Sequence, residues 1–417
     1  MEASLRSLDL YLQYPAGAVV KTRELRDVGC GMYLTYYTVV NDEIWASTSA
    51  SNLVFALGEL EPNETFDPPN FFDEQPIMER LLPSLPPGVV EHTPAVVGQL
   101  LRSVGLLSEK YWDDSIETID KRVTKLRPFE RRTATSSSVD FSPTFRLSDP
   151  AEFVTRSATH ITEFINTIEK QFPNHHHIAR VGGMDSQLLL LVPKVTDNWH
   201  VFSAEPNYPI VKDFVEENDI SVQNVFRHDN QNEETDADLK RKLICSDLRT
   251  DPRHLRWYPT LEQLVDRFDG KVIFWCGTEG DTIYSYHADY QAKEGTAYFD
   301  LHQSRAANWQ SVTHQVTKNY TGAAALSPYH SEEIWSELYR HYDPNMIDKG
   351  TDLRYELGEE LAGRSVTWPT SNPGPAPYTY DIVVDPRELY TEYIHGVLNG
   401  EHSQLITNYL NEERGSE

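Results

Sequence analysis

Residues His177–Leu191 read HIARVGGMDSQLLLL: a short apolar strand, two adjacent glycines, then an unbroken apolar helix pattern. Strand, glycine loop and helix in direct succession make an anion-binding arrangement. Gly182 and Gly183 have no Cβ, so the backbone can turn tightly and present its N–H groups to phosphate oxygens. A helix starting near Asp185 directs its positive dipole end at the same point, and the Ser186 hydroxyl adds a donor. A carboxylate beside a phosphate is unfavourable unless a cation lies between them. Mg²⁺, which takes one or two carboxylates plus phosphate oxygens, resolves the conflict at Asp185. The same residues also fit a plain glycine turn in which Asp185 and Ser186 only start the helix.

Outward from this stretch the grammar is that of a parallel sheet. A helix is expected over Pro150–Gln171, with strands at Ile178–Val181, Trp199–Ser203, Val222–Phe226 and Lys271–Cys276 and a helix at Ile210–Glu217. Such alternation implies an α/β layer whose ligands lie at the carboxyl ends of the strands. Asp213–Asp219 reads as a solvated helix end, and from Ser331 the chain is mostly helical, with a tail helix near Leu389–Tyr409. Before residue 130 the pattern is strands and short turns. Met32–Val40 and Glu43–Ala46 form a hairpin about an Asn-Asp turn, Pro-rich loops follow, and a helix is expected around Pro94–Leu106. The polar tract Thr133–Asp140 (TATSSSVD) marks the linker, dividing the chain at residues 1–145 and 146–417.

The glycine stretch is no Walker loop, because no Lys-Ser/Thr follows it. It resembles the SGGxDS pyrophosphate loop (PP-loop) of the N-type ATP pyrophosphatases, with Val181 in place of the first serine. A GGxDS match arises by chance about once in a hundred chains of this length. A second segment, KVIFWCGTEGDTIYSYH over Lys271–His287, looks like the strand and G-E-G-x-D-E turn of asparagine synthetases and β-lactam synthetases. Asp281 lies 96 residues after Asp185. Ala325–Trp335 is similar to the family's P-F-L-D segment, Asp348–Tyr355 to its K-x-x-L-R helix, Gly29–Gly58 to the sandwich strands of its glutaminase-type domain, and Ser115–Pro128 to its T-x-x-x-I-x-x-L-x-P element. The resemblance implies a PP-loop ATP-binding domain of α/β class with helices on both faces of a parallel sheet, preceded by a β-rich Ntn-hydrolase-like sandwich. It implies ATP and Mg²⁺ as cofactors. The metal falls to Asp185 and Asp281, and the nucleotide to Val181, Gly182, Gly183, Asp185, Ser186, Gly277 and Gly280. The main chain of Phe202, Ser203 and Ala204 would take the adenine, and Glu279 is a candidate for metal binding or proton transfer.

The activity implied is ATP-dependent amide-bond formation: a carboxylic acid is adenylated with release of pyrophosphate, and its acyl group passes to ammonia or another amine. The partners are then small-molecule acids and amines, and a homodimer is compatible with the pattern. Two departures cut across this. A glutamine-hydrolysing domain needs an N-terminal cysteine as nucleophile, but residue 2 is Glu, as in the β-lactam synthetase branch, so no glutaminase activity is expected. The family's W-R-x-K lysine, which neutralises charge during attack, is also missing: the matching stretch reads VTWPTSN from Val366, and Lys349 and Arg364 are the candidates to compensate. Thr282 replaces the acid after the metal aspartate. An inactive descendant serving as a nucleotide-binding or scaffold protein is the alternative.

Composition sets the outer bounds. With 37 Lys+Arg against 64 Asp+Glu, the net charge of −27 disfavours nucleic acid as partner, and with it an RNA-acting pyrophosphatase-loop enzyme. The longest apolar runs fall far short of the ~20 residues a membrane span requires, and the N-terminus lacks a signal-peptide pattern, so a cytoplasmic location and no membrane partner are expected. Cys30, Cys245 and Cys276 are widely spaced and suit buried apolar positions rather than disulfides. His175, His176 and His177 alternate sides on a strand and cannot converge on one ion. Tyr284, Tyr286 and His287 fit either an acceptor pocket or aromatic packing; Arg249, Arg253 and Arg256 fit an anion contact or a solvated helix face.

Overall fold

A computed structural model describes residues 2–66, 117–139, 150–228, 241–242, 244–247, 249, 257–278, 280–284, 311–341, 352–370 and 386–400, with the side chains of residues 150, 281, 282, 338–341 and 386–391 outside it. The expected helix at 94–106, Glu279, Tyr286, His287, Arg253, Arg256 and Lys349 lie outside the described residues.

The C-terminal part is built on five parallel strands: β9 (His176–Arg180), β10 (Trp199–Ala204), β11 (Asn224–His228), β12 (Val272–Cys276) and β13 (Ala324–Leu326). Their order across the sheet is β11-β10-β9-β12-β13, so the chain leaves β9 in one direction and returns to its other side at β12. That reversal opens a crevice at the carboxyl ends of β9 and β12, where an open α/β sheet places its ligand.

Alternation along the strands sorts the helices between two faces. Ala179, Val181, Trp199, Val201, Ile273, Trp275 and Leu326 form one apolar cluster with α3 (Pro150–Gln171), α4 (Met184–Leu191), α5 (Tyr208–Glu217), α9 (Glu332–His341) and α10 (Arg354–Ala362). Ile178, Phe202, Val272, Phe274, Cys276 and Ala325 pack on the other face against α6 (Tyr258–Arg267) and α8 (Ser311–Thr321). Burial on both faces explains why β12 is wholly apolar, VIFWC. At roughly 1.5–3 kcal/mol per fully buried large apolar side chain, these faces carry most of the gross stabilisation.

The N-terminal part is β-rich. One sheet has the order β2-β5-β4-β6 (Val20–Thr22, Glu43–Ser47, Tyr36–Val40, Thr124–Lys125), all antiparallel; the other has the order β1-β3-β7-β8 (Leu5–Arg6, Glu24–Arg26, Glu130–Thr133, Ser137–Val139), with β1 parallel to β3. The β4–β5 hairpin turns on Asn41 and Asp42, whose φ values of 50° and 63° give the mirror-image turn that matches strand twist. Two expectations fail here. The region also holds helices α1 (Ser7–Gln13) and α2 (Ala50–Leu57), because Ser49 accepts the Asn52 N–H as N-cap and Gly58, at φ 82°, ends the turn. The tract read as a linker is instead a hairpin, with the Thr133 N–H donating to the Ser136 carbonyl at 2.9 Å and Ser137–Val139 paired to β7. A short polar strand at a sheet edge is compositionally indistinguishable from a loop.

Sequence periodicity also missed β13 and α8. β13 is only three residues long, and α8 buries polar side chains such as His314, Gln315 and Asn319, which hides its amphipathic pattern. The tail helix is described as α11 (Pro386–Asn399).

Several contacts join the two parts. Asp247 accepts from the N–H groups of Ala50 and Ser51 at the start of α2, from Gln315 Nε2 at 2.7 Å and from Tyr393 Oη at 2.7 Å. Tyr33 Oη donates to the Ser327 carbonyl, and Thr48 Oγ1 to Asn319 Oδ1 at 2.9 Å. Arg249 is not on a solvated face. It is buried, donates to the Glu117 carbonyl and lies over the Tyr36 and Phe66 rings.

Candidate functional site

The crevice is walled by two turns. The first begins at Val181, whose N–H extends the β9–β10 ladder by donating to the Phe202 carbonyl at 2.8 Å, and whose side chain is buried. Gly183 is the N-cap of α4. The Gly182 N–H donates to Ser186 Oγ at 3.0 Å, and that hydroxyl donates to the Gly183 carbonyl at 2.9 Å. Ser186 therefore braces the loop from inside rather than offering a donor outward. Among the described residues the N–H groups of Gly183 and Met184 have no acceptor, so they are the donors the loop has available.

The second turn follows β12 and is locked to the first. A Cβ on Gly277 would stand 2.3 Å from both Cα and N of Ser186, closer than any side chain permits. On Gly280 it would stand 2.9 Å from Asp185 Cβ and 3.1 Å from the Tyr329 ring. Glycine at these positions thus allows the carboxyl ends of β9 and β12 to touch. Asp281 follows Gly280 directly in α7 (Gly280–Tyr284), which places its backbone beside Asp185.

Asp185 itself is held from two sides. Tyr329 Oη donates to its carbonyl at 2.5 Å, and Arg354 Nη1 donates to Oδ1 at 2.8 Å. Arg354 stands at the start of α10, where its other nitrogens grip Asp352 at 2.8 and 2.7 Å. Burial opposes its charge, but the hydrogen bonds to Asp352 and Asp185 outweigh it and raise its pKa further above the arginine range. The Leu353 N–H donates to the Tyr284 carbonyl at 2.7 Å, tying α10 to α7. Arg354 belongs to the stretch resembling K-x-x-L-R, but its contact with Asp185 is 169 residues distant in sequence and has no local signal.

At the end of β10, Ser203 Oγ and Asn207 Oδ1 are buried without a hydrogen-bond partner among the described residues. A buried polar atom left unpaired costs about 1–3 kcal/mol, so two of them beside the glycine turn favour a ligand that completes them. Asn207 Nδ2 would lie 3.7 Å from a Cβ at Gly182.

Arg180 ends β9 on the face opposite α4. Its Nη1 reaches Cys276 Sγ and Thr317 Oγ1 at 3.5 Å each, and its guanidinium lies 5.4 Å from the Trp257 ring centroid. No carboxylate among the described residues pairs with it.

Other expected residues stand elsewhere. Arg364 donates to the Asn218 carbonyl and lines a cleft of about 370 Å³ with Lys194 and Asp219. Since α10 runs away from Asp185, ten residues put Arg364 about 15 Å from Arg354. It cannot stand in for the missing lysine. Tyr284 is fully buried, stacked on Phe153 at 5.5 Å and edge-on to Tyr329, so packing accounts for it. His176 Nδ1 and His200 Nε2 are 2.9 Å apart, whereas His177 Nδ1 accepts from Trp275 Nε1 at 3.1 Å on the other side. Among the described residues no three His, Cys, Asp or Glu side chains gather as a metal site. Mg²⁺, which needs only one or two carboxylates beside phosphate oxygens, fits Asp185 once Arg354 yields its place or shares it. Cys30, Cys245 and Cys276 are buried and none forms a disulfide among the described residues, and no described helix is long and apolar enough to cross a membrane.

No protein-family model matches the chain, and no curated protein matches it.

Proposed function

We propose that the chain is an ATP- and Mg²⁺-dependent ligase of asparagine-synthetase-like, PP-loop type. It joins a carboxylic acid to ammonia or another amine, has no glutaminase activity, and carries an Ntn-hydrolase-like sandwich as its β-rich N-terminal part. One observation carries this reading. The two stretches chosen for their resemblance, 96 residues apart, pack on each other at the crevice so closely that Gly277 has no room for a Cβ beside Ser186.

When bound, MgATP supplies the phosphorus that activates the acid and the pyrophosphate that leaves. The chain's own contribution is binding and positioning. The Gly183 and Met184 N–H groups and the α4 dipole receive phosphate oxygens. Ser186 keeps Gly182 turned inward, Asp185 and Asp281 hold the cation, and the orphaned Ser203 and Asn207 face the nucleotide. Catalysis by such groups is electrostatic and positional, with no covalent intermediate on the protein.

The test is pyrophosphate release from MgATP, screened over carboxylic acids with ammonia or primary amines. Release dependent on both an acid and an amine is expected. ATP binding without turnover under any pair would move the chain to the second reading, a nucleotide-binding protein without ligase chemistry. The Arg354–Asp185 ion pair favours that second reading, because a guanidinium there occupies the carboxylate that the metal needs.

A further inference from the structure

Other half-buried guanidinium groups of the described chain meet carboxylates in several cases: Arg354 meets Asp185 and Asp352, and Arg241 meets Glu262 at 3.1 Å. Among the described residues Arg180 has only neutral neighbours. Burial raises the Tyr258 hydroxyl to about 12 and holds the Cys276 thiol above its ordinary value, so neither supplies a negative charge at neutral pH. Thr317 and Trp257 carry no charge at all, and His314, which Arg180 also reaches electrostatically, is kept neutral mainly by burial. A charge withdrawn from water without a counter-ion is costly, and Arg cannot shed its proton to escape that cost.

Position gives this cation a use. Arg180 pairs with Cys276 across β9 and β12, at the head of the crevice, and precedes the glycine turn by one residue. Its side chain enters the groove between α6 and α8, whereas the N–H groups of the turn belong to α4 on the opposite face. The crevice therefore offers two separate anion contacts: main-chain donors on one side and a planar charged fork on the other.

We propose that Arg180 is the binding residue for a second anion, the carboxylate of the acid to be activated, gripped by the guanidinium fork in the α6–α8 groove. Naming that anion as the acid substrate rests on the ligase reading above. The test compares thermal unfolding of the full chain and its R180Q and R180K variants at matched ionic strength, with acetate, succinate, L-aspartate, benzoate, inorganic phosphate or MgATP added. At least one carboxylate is expected to raise the wild-type Tm. R180Q should lose that rise, R180K should bind roughly tenfold or more weakly, and the MgATP response should survive in both. Without additives R180Q should be as stable as wild type, since it removes an uncompensated charge. No wild-type response to any of the four carboxylates, or an equal response in R180Q, overturns the proposal. So does loss of only the phosphate or MgATP response, which would assign Arg180 to the nucleotide. A fall in R180Q stability restored by R180K, with carboxylate responses unchanged, would show a purely structural role. Failure of MgATP to shift any of the three proteins refutes the ligase reading alone, because the carboxylate comparison is read independently.

Discussion

At the scale of single residues, the junction of the two turns makes contrasting demands on its glycines. Gly277→Ala pushes a methyl into the main chain of Ser186, which cannot move without opening α4. Overpacking of this kind costs about 1–3 kcal/mol, and urea unfolding of the variant should show a loss of that size together with weaker MgATP binding. Gly182→Ala meets nothing closer than 3.7 Å and should fold with stability within about 0.5 kcal/mol of wild type. Equal losses in the two variants would mean that the turns do not touch as described. Arg354→Gln removes the guanidinium from Asp185 and should strengthen Mg²⁺-dependent nucleotide binding if the two cations compete for that carboxylate; calorimetry at several Mg²⁺ concentrations reads the change.

At the scale of elements, the sheet holds imidazoles where water cannot follow. Burial lowers His177 on β9 and His200 on β10 to about 4 from the ordinary 6.5, and His314 on α8 likewise. The unfolded chain binds protons below about 6.5 while the folded rings resist until about 4, so stability is full above that upper value and falls as the pH drops through the interval. Each ring contributes on the order of 2–3 kcal/mol. Asp27, whose pKa is raised by burial, opposes the trend. Urea midpoints at pH 7 and pH 5 should differ, and less so in His200→Gln. The same elements show what could be read from sequence. Strands β9, β10 and β12 and helix α3 announced themselves because burial on both faces, or a long apolar stripe, leaves an unbroken pattern. α8 did not, since beside Val312, Val316 and Tyr320 it buries His314, Gln315, Lys318 and Asn319, whose hydrogen bonds are all to distant or backbone partners. Gly182, Gly183 and Asp185 were legible because their chemistry is local to one turn. Arg180 and Arg354 were not, because what distinguishes them is the absence or presence, among the described residues, of a charge partner far away in sequence.

At the scale of the whole molecule, one carboxylate ties the β-rich part to the parallel sheet. Asp247 receives the start of α2, Gln315 of α8 and Tyr393 of α11 together, with 4% of its surface exposed. Asp247→Ala leaves those donors unpaired and should cost about 2–4 kcal/mol. Calorimetric unfolding should then show the two parts melting separately, whereas one unchanged transition would mean that the remaining contacts suffice to join them. The proposed binding crevice depends on a different union, that of the first and fourth strands of the sheet. Its most direct test is calorimetric titration of ATP with Mg²⁺ into the wild type and an Asp185→Ala, Asp281→Ala double variant. Magnesium-dependent binding by the wild type, lost in the variant while its unfolding midpoint is kept, is the expected result. Absence of wild-type binding at millimolar ATP, or binding that survives the loss of both aspartates, would contradict a metal-nucleotide site at this crevice.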